Sequence, residues 1–157
     1  MKQEIERKFI VVSNEWRTAV GKGMPCRQGY FSTEKDGATV RIRRIGEQAW
    51  LTVKGPSQGI SRPEFEYPVP LADADYMLEH LCRDRIVSKI RYTLEINGLL
   101  WEIDEFGGKN EGLILAEVEL ENENQTVSLP SWVGEEVSED TKYKNVFLAS
   151  FPYKKRP

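Results

Sequence analysis

Acidic and basic side chains recur along this chain at a spacing of two, mostly as same-sign pairs. Glu4 and Glu6 are followed in phase by Lys8. Further on come Arg41 with Arg43, Glu64 with Glu66, Lys89 with Arg91, Glu102 with Asp104, and Glu117 with Glu119, while Lys54 is in phase with Thr52 and Trp50. A spacing of two places side chains on one face of a β-strand. The other parity holds Ile5, Ile42, Phe65, Ile90, Ile103 and Val118. One such strand is an ordinary amphipathic element with its charges in water. A whole set is different, because adjacent like charges repel and a surface shaped for stability mixes signs. Carboxylate pairs suit hard cations such as Mg²⁺ or Mn²⁺, which take oxygen ligands. Arginine and lysine pairs suit a multiply charged phosphate chain. Both kinds on one face form a coherent site and point to a lumen lined with charge.

The elements that must carry these pairs are strands. The first covers Glu4 to Val12. Asn14 is placed to cap a short helix running to about Val20. Cys26 to Thr33 reads as a strand ending in the polar turn Glu34-Lys35-Asp36-Gly37. Ala38–Ile45 and Gln48–Lys54 form a hairpin across Gly46-Glu47, and Ser61–Val69 is a further strand closed by prolines 68 and 70. Asp73 to Cys82 has helical composition with Asp73 as cap; His80 falls at its exposed end. Ile86–Ile96 and Leu99–Phe106 turn at Asn97-Gly98, a strong short hairpin signal. Leu113–Glu121 is a strand, Pro130-Ser131-Trp132 opens a turn-rich tail, and Lys142–Ser150 reads as a terminal helix. About eight antiparallel strands with a few short covering helices suit a closed barrel, which has no edges. The fold class is therefore mostly β.

Length and composition bound the rest. At 157 residues, residues 1–157 are read as a single domain. Charged residues make up 30% and the net charge is −3, so no overall basic footprint for nucleic acid exists and anion binding must come from local clusters. Cys26 and Cys82 lack paired spacing, and His80 is the single histidine, so no zinc pattern arises. The cysteines read as buried thiols of a reducing, cytoplasmic compartment. No targeting segment or membrane-spanning run stands out. Arg62 shares parity with Glu64 and Glu66 and reads as a structural ion-pair residue. Lys142 and Lys144 read as a solvated helix face, and Trp50, Trp101 and Trp132 as packing residues.

The ordered set resembles the CYTH domain proteins, or triphosphate tunnel metalloenzymes, and in particular their short bacterial members. The hallmark E-x-E-x-K is Glu4-Ile5-Glu6-Arg7-Lys8. Arg41-Ile42-Arg43, Lys54, Glu64-Phe65-Glu66, Lys89-Ile90-Arg91, Glu102-Ile103-Asp104 and Glu117-Val118-Glu119 follow in the family's order, with Trp132–Val137 and Tyr143-Lys144-Asn145 in the tail. The resemblance implies an eight-stranded antiparallel tunnel that hydrolyses a small triphosphate with Mg²⁺ or Mn²⁺. Glu4, Glu6, Glu117 and Glu119 would hold metal, with Glu64, Glu66, Glu102 and Asp104 as further or outer ligands. Lys8, Arg41, Arg43, Lys54, Lys89 and Arg91 would bind phosphate. Lys54 and Lys89 are also candidates for the base acting on water, since burial among cations lowers a lysine's pKa. Inorganic triphosphate is the favoured substrate. A class IV-type adenylate cyclase, a thiamine triphosphatase and a non-enzymatic polyphosphate or nucleotide binder are the alternatives.

Overall fold

Polar–apolar alternation produces long antiparallel strands. The computed structural model describes residues 1–31 and 37–155. Among these residues the strands are β1 (Lys2–Val11), β2 (Met24–Tyr30), β3 (Thr39–Ile45), β4 (Gln48–Lys54), β5 (Ser61–Pro68), β6 (Ile86–Ile96), β7 (Leu99–Phe106), β8 (Ile114–Glu119) and β9 (Val133–Glu136). The helices are α1 (Leu71–Tyr76) and α2 (Asn145–Ser150), with short single-turn helices between strands. β1 pairs with β5 through Lys2–Ile5 and with β8 through Glu6–Ile10. This double pairing closes eight strands into a barrel in the order β1-β5-β4-β3-β2-β6-β7-β8. The expected eight-stranded antiparallel barrel is therefore observed, with β9 as an extra strand.

Two hairpins meet their sequence signals. Asn97 and Gly98 have φ of 51° and 77°, the double left-handed turn that matches strand twist. Gly46 has φ of 57° at the β3–β4 turn. β9 was not expected: four residues, two of them glutamates and one a glycine, carry no alternation. It pairs with β1 where β5 does not reach, joining Phe9 to Glu136 and Val11 to Val133.

The helical segments differ from expectation at their starts. α1 begins at Leu71 directly after Pro70, and no side chain caps it; Asp73 lies inside its first turn. Pro70 stands just outside the helix with ψ of 143° and offers no side-chain acceptor to the first turn. After α1 the chain continues as a wider π-type turn over Met77–Leu81. The segment after Asn14 is a 3₁₀ helix, Glu15–Ala19, and the Asn14 side chain accepts a hydrogen bond from Arg17 Nε instead of capping. The tail is split into a 3₁₀ turn, Thr141–Tyr143, and α2, because Lys144 is extended between them. In the expected turn after β2, residues 34–36 lie outside the described residues, as does that strand's expected end at Thr33.

The outer wall of the barrel is apolar and covered. Phe9, Trp101, Ile103, Ala116 and Val118 pack under Trp16 and Trp132. Trp101 and Trp132 meet edge-on with centroids 5.7 Å apart. On β3 and β4, Ile42 and Ala49 are covered by Ala74, Leu78 and Cys82. Gly29 faces this helix, and a Cβ there would stand 2.6 Å from Cys82 Sγ. Inside, strand parity puts Val87, Phe106 and Leu115 on the same side as Lys89, Asp104 and Glu117. α2 packs onto them through Leu148 and Ala149, so part of the interior is an apolar core and the remainder is charged.

Candidate active site

A cavity of about 250 Å³ runs into the charged part of the barrel. Its acidic wall comes from β1 and β8, where Glu6 is level with Glu119 and Lys8 with Glu117. β7 adds Glu102, level with Glu117. β5 adds Glu64 and Glu66. The basic wall is Arg41 and Arg43 on β3, Lys54 on β4 and Arg91 on β6. Every residue expected to hold metal or phosphate lines this cavity except Lys89 and Asp104. These two stand behind the wall.

Lys89 and Asp104 form an enclosed ion pair, Nζ to Oδ2 at 2.7 Å, with side-chain exposures of 0% and 1%. Arg91 clamps the same carboxylate through Nε and Nη2, both at 2.8 Å, and reaches Glu102 through Nη1. Lys89 also donates to Asn145 Oδ1 at 3.1 Å, tying β6 to α2. Burial lowers the Lys89 pKa to about 8 although Asp104 opposes it. For Asp104, burial acts upward, but Lys89 and Arg91 outweigh it and hold the pKa at about 2. A carboxylate held below its usual 3.8 gives stability that is complete above pH 4 and disappears as pH falls through about 2. Asp104→Asn is expected to cost about 3–5 kcal/mol at pH 7, because it leaves the enclosed Lys89 without a carboxylate and Arg91 with Glu102 alone. Urea unfolding at pH 7 measures this loss, and the gap to the parent should narrow on acidification to pH 2.

The cavity's other charges are also interlocked. Lys54 Nζ lies 2.8 Å from Glu4 Oε2 and 3.4 Å from Glu64 Oε2. Arg62, expected in a structural ion pair, faces Glu4 across the β1–β5 seam at 3.6 Å. Lys8 Nζ is 3.5 Å from Glu117 and donates to the Tyr143 carbonyl. Arg41 donates to Thr52 Oγ1, which donates on to Glu66. Burial, and then Arg41, lower the pKa of Lys54 against the pull of Glu4 and Glu6. Glu4 is brought to about 2 by Lys54 in spite of its burial. Glu6 goes the other way: burial, Glu117 and Glu4 together raise it well above the usual value. The Glu6 side chain is deep in the molecule and meets solvent only through the cavity.

A metal centre was tested against this geometry. Among the described residues no three acidic, His or Cys side chains already stand in a ligand arrangement. The donor chemistry fits nonetheless. Glu4 and Glu6 stand in phase on β1, and Glu6 is loaded by both Glu117 and Glu4. Glu4 Oε2 is enclosed, with the Lys54 ammonium at 2.8 Å. Such crowded hard oxygens suit a divalent cation. Lys54 and Lys8 compensate part of that acidity.

The structure also brings in residues that the charge pattern did not single out. Tyr30, Thr39, Ser57, Ser138 and Asn145 reach the cavity. Lys144, expected on a solvated face, lines it too, with Nζ 3.5 Å from Ser57 Oγ. Gln28 sits directly behind Arg43. Neutral residues have no charge parity to betray them, and Lys144 is delivered by an extended residue between two helical turns.

The comparisons with known proteins agree with this architecture. The CYTH domain matches residues 2–149. The chain belongs to the CYTH domain family. An inorganic triphosphatase of Acetivibrio thermocellus is 46% identical over 154 residues, covering 98% of this chain and 97% of that protein. An inorganic triphosphatase of Nitrosomonas europaea is 38% identical over 149 residues, covering 93% and 96%. The crystal structure of an inorganic triphosphatase matches with a TM-score of 0.68 at 35% identity, covering 95% of each chain. Among the described residues of this CYTH protein, no helix is long and apolar enough to cross a membrane.

Proposed function

We propose that this CYTH protein hydrolyses a phosphoanhydride bond of inorganic triphosphate with the help of a divalent cation, Mg²⁺ or Mn²⁺. We place it in the cytoplasm, as one domain spanning 1–157. The observation that carries the reading is the division of one cavity into facing walls, carboxylates on β1 and β8 and cations on β3, β4 and β6. The 46% and 38% identical relatives named for that activity support it.

Glu4, Glu6, Glu117 and Glu119 would hold the cation. Glu64, Glu66 and Glu102 would act as further or outer acceptors, with Asp104 supporting through Arg91. A bound divalent cation supplies charge neutralisation on phosphate oxygens and acidifies the attacking water. Arg41, Arg43 and Arg91 grip non-bridging oxygens with planar donor pairs, and Lys8 adds a point charge. These cations act most strongly where charge develops in the transition state. Lys54 lies on the cavity wall with a lowered pKa, so it is the candidate to take the water's proton. Lys89 is enclosed and acts on the cavity through Asp104 and Arg91.

Inorganic triphosphate is favoured over a nucleotide or thiamine ester by what the wall lacks. Among the described residues Tyr30 is the one aromatic side chain lining it, while Trp101 and Trp132 pack in the outer core. The test is to incubate the protein with Mg²⁺ or Mn²⁺ and, separately, inorganic triphosphate, ATP or thiamine triphosphate. Phosphate release from inorganic triphosphate well above the other two is the expected result. Cyclic AMP from ATP, or binding without turnover, would overturn it.

A further inference from the structure

Arg43 lines the cavity beside Arg41 and Arg91, and burial followed by those two neighbours disfavours its charge. Among the described residues it forms no ion pair. Its hydrogen bond goes instead to a neutral amide: Nε donates to Gln28 Oε1 at 3.1 Å. Gln28 is 0% exposed on β2, level with Arg43 across the β2–β3 ladder. Its other end is engaged as well, Nε2 donating to the Tyr30 hydroxyl at 2.8 Å. Cys26 Sγ approaches Oε1 at 3.7 Å. The orientation of the amide follows from chemistry. A guanidinium only donates, so the amide oxygen must face Arg43 and the NH₂ is left for Tyr30.

We infer that Gln28 is a positioning residue of the phosphate grip, one that fixes Arg43 at the cavity wall without neutralising it. Resting on the triphosphatase reading, the inference deepens it by naming why the grip stays charged. A carboxylate at position 28 would keep the acceptor and its shape, yet would pair with Arg43 and compete with an incoming phosphate. An apolar side chain of the same length would leave Arg43 Nε and the Tyr30 hydroxyl without partners in an enclosed place, which costs stability. Stability and ligand binding are thus set against each other at this position. The neutral amide satisfies the geometry, and the guanidinium's charge remains for the ligand.

The experiment compares Gln28→Glu and Gln28→Met with the parent by thermal unfolding, by steady-state kinetics, and by calorimetric binding of inorganic triphosphate in EDTA, where no metal-dependent turnover occurs. Gln28→Glu is expected to keep or raise the unfolding temperature while KM and Kd for triphosphate rise about tenfold, the scale of one charge-assisted contact. Gln28→Met is expected to lower the unfolding temperature and to raise KM by a smaller factor. Adding Arg43→Met to Gln28→Glu should cause no further weakening from the Glu change. The inference is overturned if Gln28→Glu binds triphosphate like the parent, or if both variants lose stability and affinity in proportion, as a purely structural role requires. Absence of phosphate release by the parent protein would overturn the triphosphatase reading alone, since the EDTA binding ratio still decides the role of Gln28.

Discussion

Replacing Glu6 with glutamine is expected to remove metal-dependent turnover, by roughly 10³-fold, the effect of losing several kcal/mol of charge stabilisation at the reacting phosphate. Glu6 is the carboxylate most burdened in the protein. It lines the cavity inside the barrel and is loaded by Glu117 from β8 and by Glu4 on its own strand. A group whose folded-state pKa is raised costs stability as pH climbs past its unfolded value, here 4.5. Burial beside Glu117 and Glu4 therefore penalises the Glu6 carboxylate of the unliganded protein above that pH, and a divalent cation would relieve it. This gives the variant a double signature. With EDTA present at pH 7, Glu6→Gln should unfold at a higher temperature than the parent, because a carboxyl penalised by burial and by Glu117 and Glu4 is gone. Titration with Mn²⁺ should then raise the parent's unfolding temperature and leave that of the variant nearly unchanged. Full activity in Glu6→Gln would sink the metal assignment, and so would an undiminished Mn²⁺ shift.

The second large effect is expected at Lys54. Its ammonium lies between Glu4 and Glu64 on the wall, and burial with Arg41 lowers its pKa. A lowered pKa leaves a neutral fraction near neutral pH able to accept a proton, whereas an arginine stays charged. Lys54→Arg keeps a cation for phosphate and the pairing with Glu4, but removes the base. The expected loss is about 10²–10⁴-fold in kcat, the usual range for general base catalysis, with a much smaller change in KM. The sign of the pH dependence follows from the same group. The parent's kcat should rise with pH as Lys54 loses its proton, and that limb should vanish in the variant. A variant with near-parental kcat and a raised KM would make Lys54 a phosphate ligand only.

Lys89 is the residue whose meaning changes most between sequence and structure. Its pairing with Arg91 at a spacing of two gave it the same standing as the other cations, and the lowered pKa expected for it does occur. Yet its ammonium ends at Asp104 and Asn145 and not in the cavity. Strand parity reports the side of a sheet and says nothing about depth along a barrel axis. Phe106, level with Lys89 on β7, belongs to the apolar part of the interior. Position along the strand thus separates a residue on the cavity wall from one enclosed behind it.

What the sequence alone determined is the set of inward charges, the two hairpins that hold β3 to β4 and β6 to β7, and the barrel those strands imply. These are local matters: period two is a property of an extended chain, and Asn97-Gly98 selects its turn without help from the rest of the fold. The tertiary structure alone decided which charges meet. Arg62 finds Glu4, because β1 and β5 close the barrel between residues at least 56 positions apart. β9 forms against β1 beyond the reach of β5, at Phe9 and Val11, more than 120 residues away in sequence. Gln28 comes to stand behind Arg43, and Lys144 on the cavity wall, from positions with no charge pattern. Each of these depends on strand closure and packing between distant segments, and no window of sequence contains both partners.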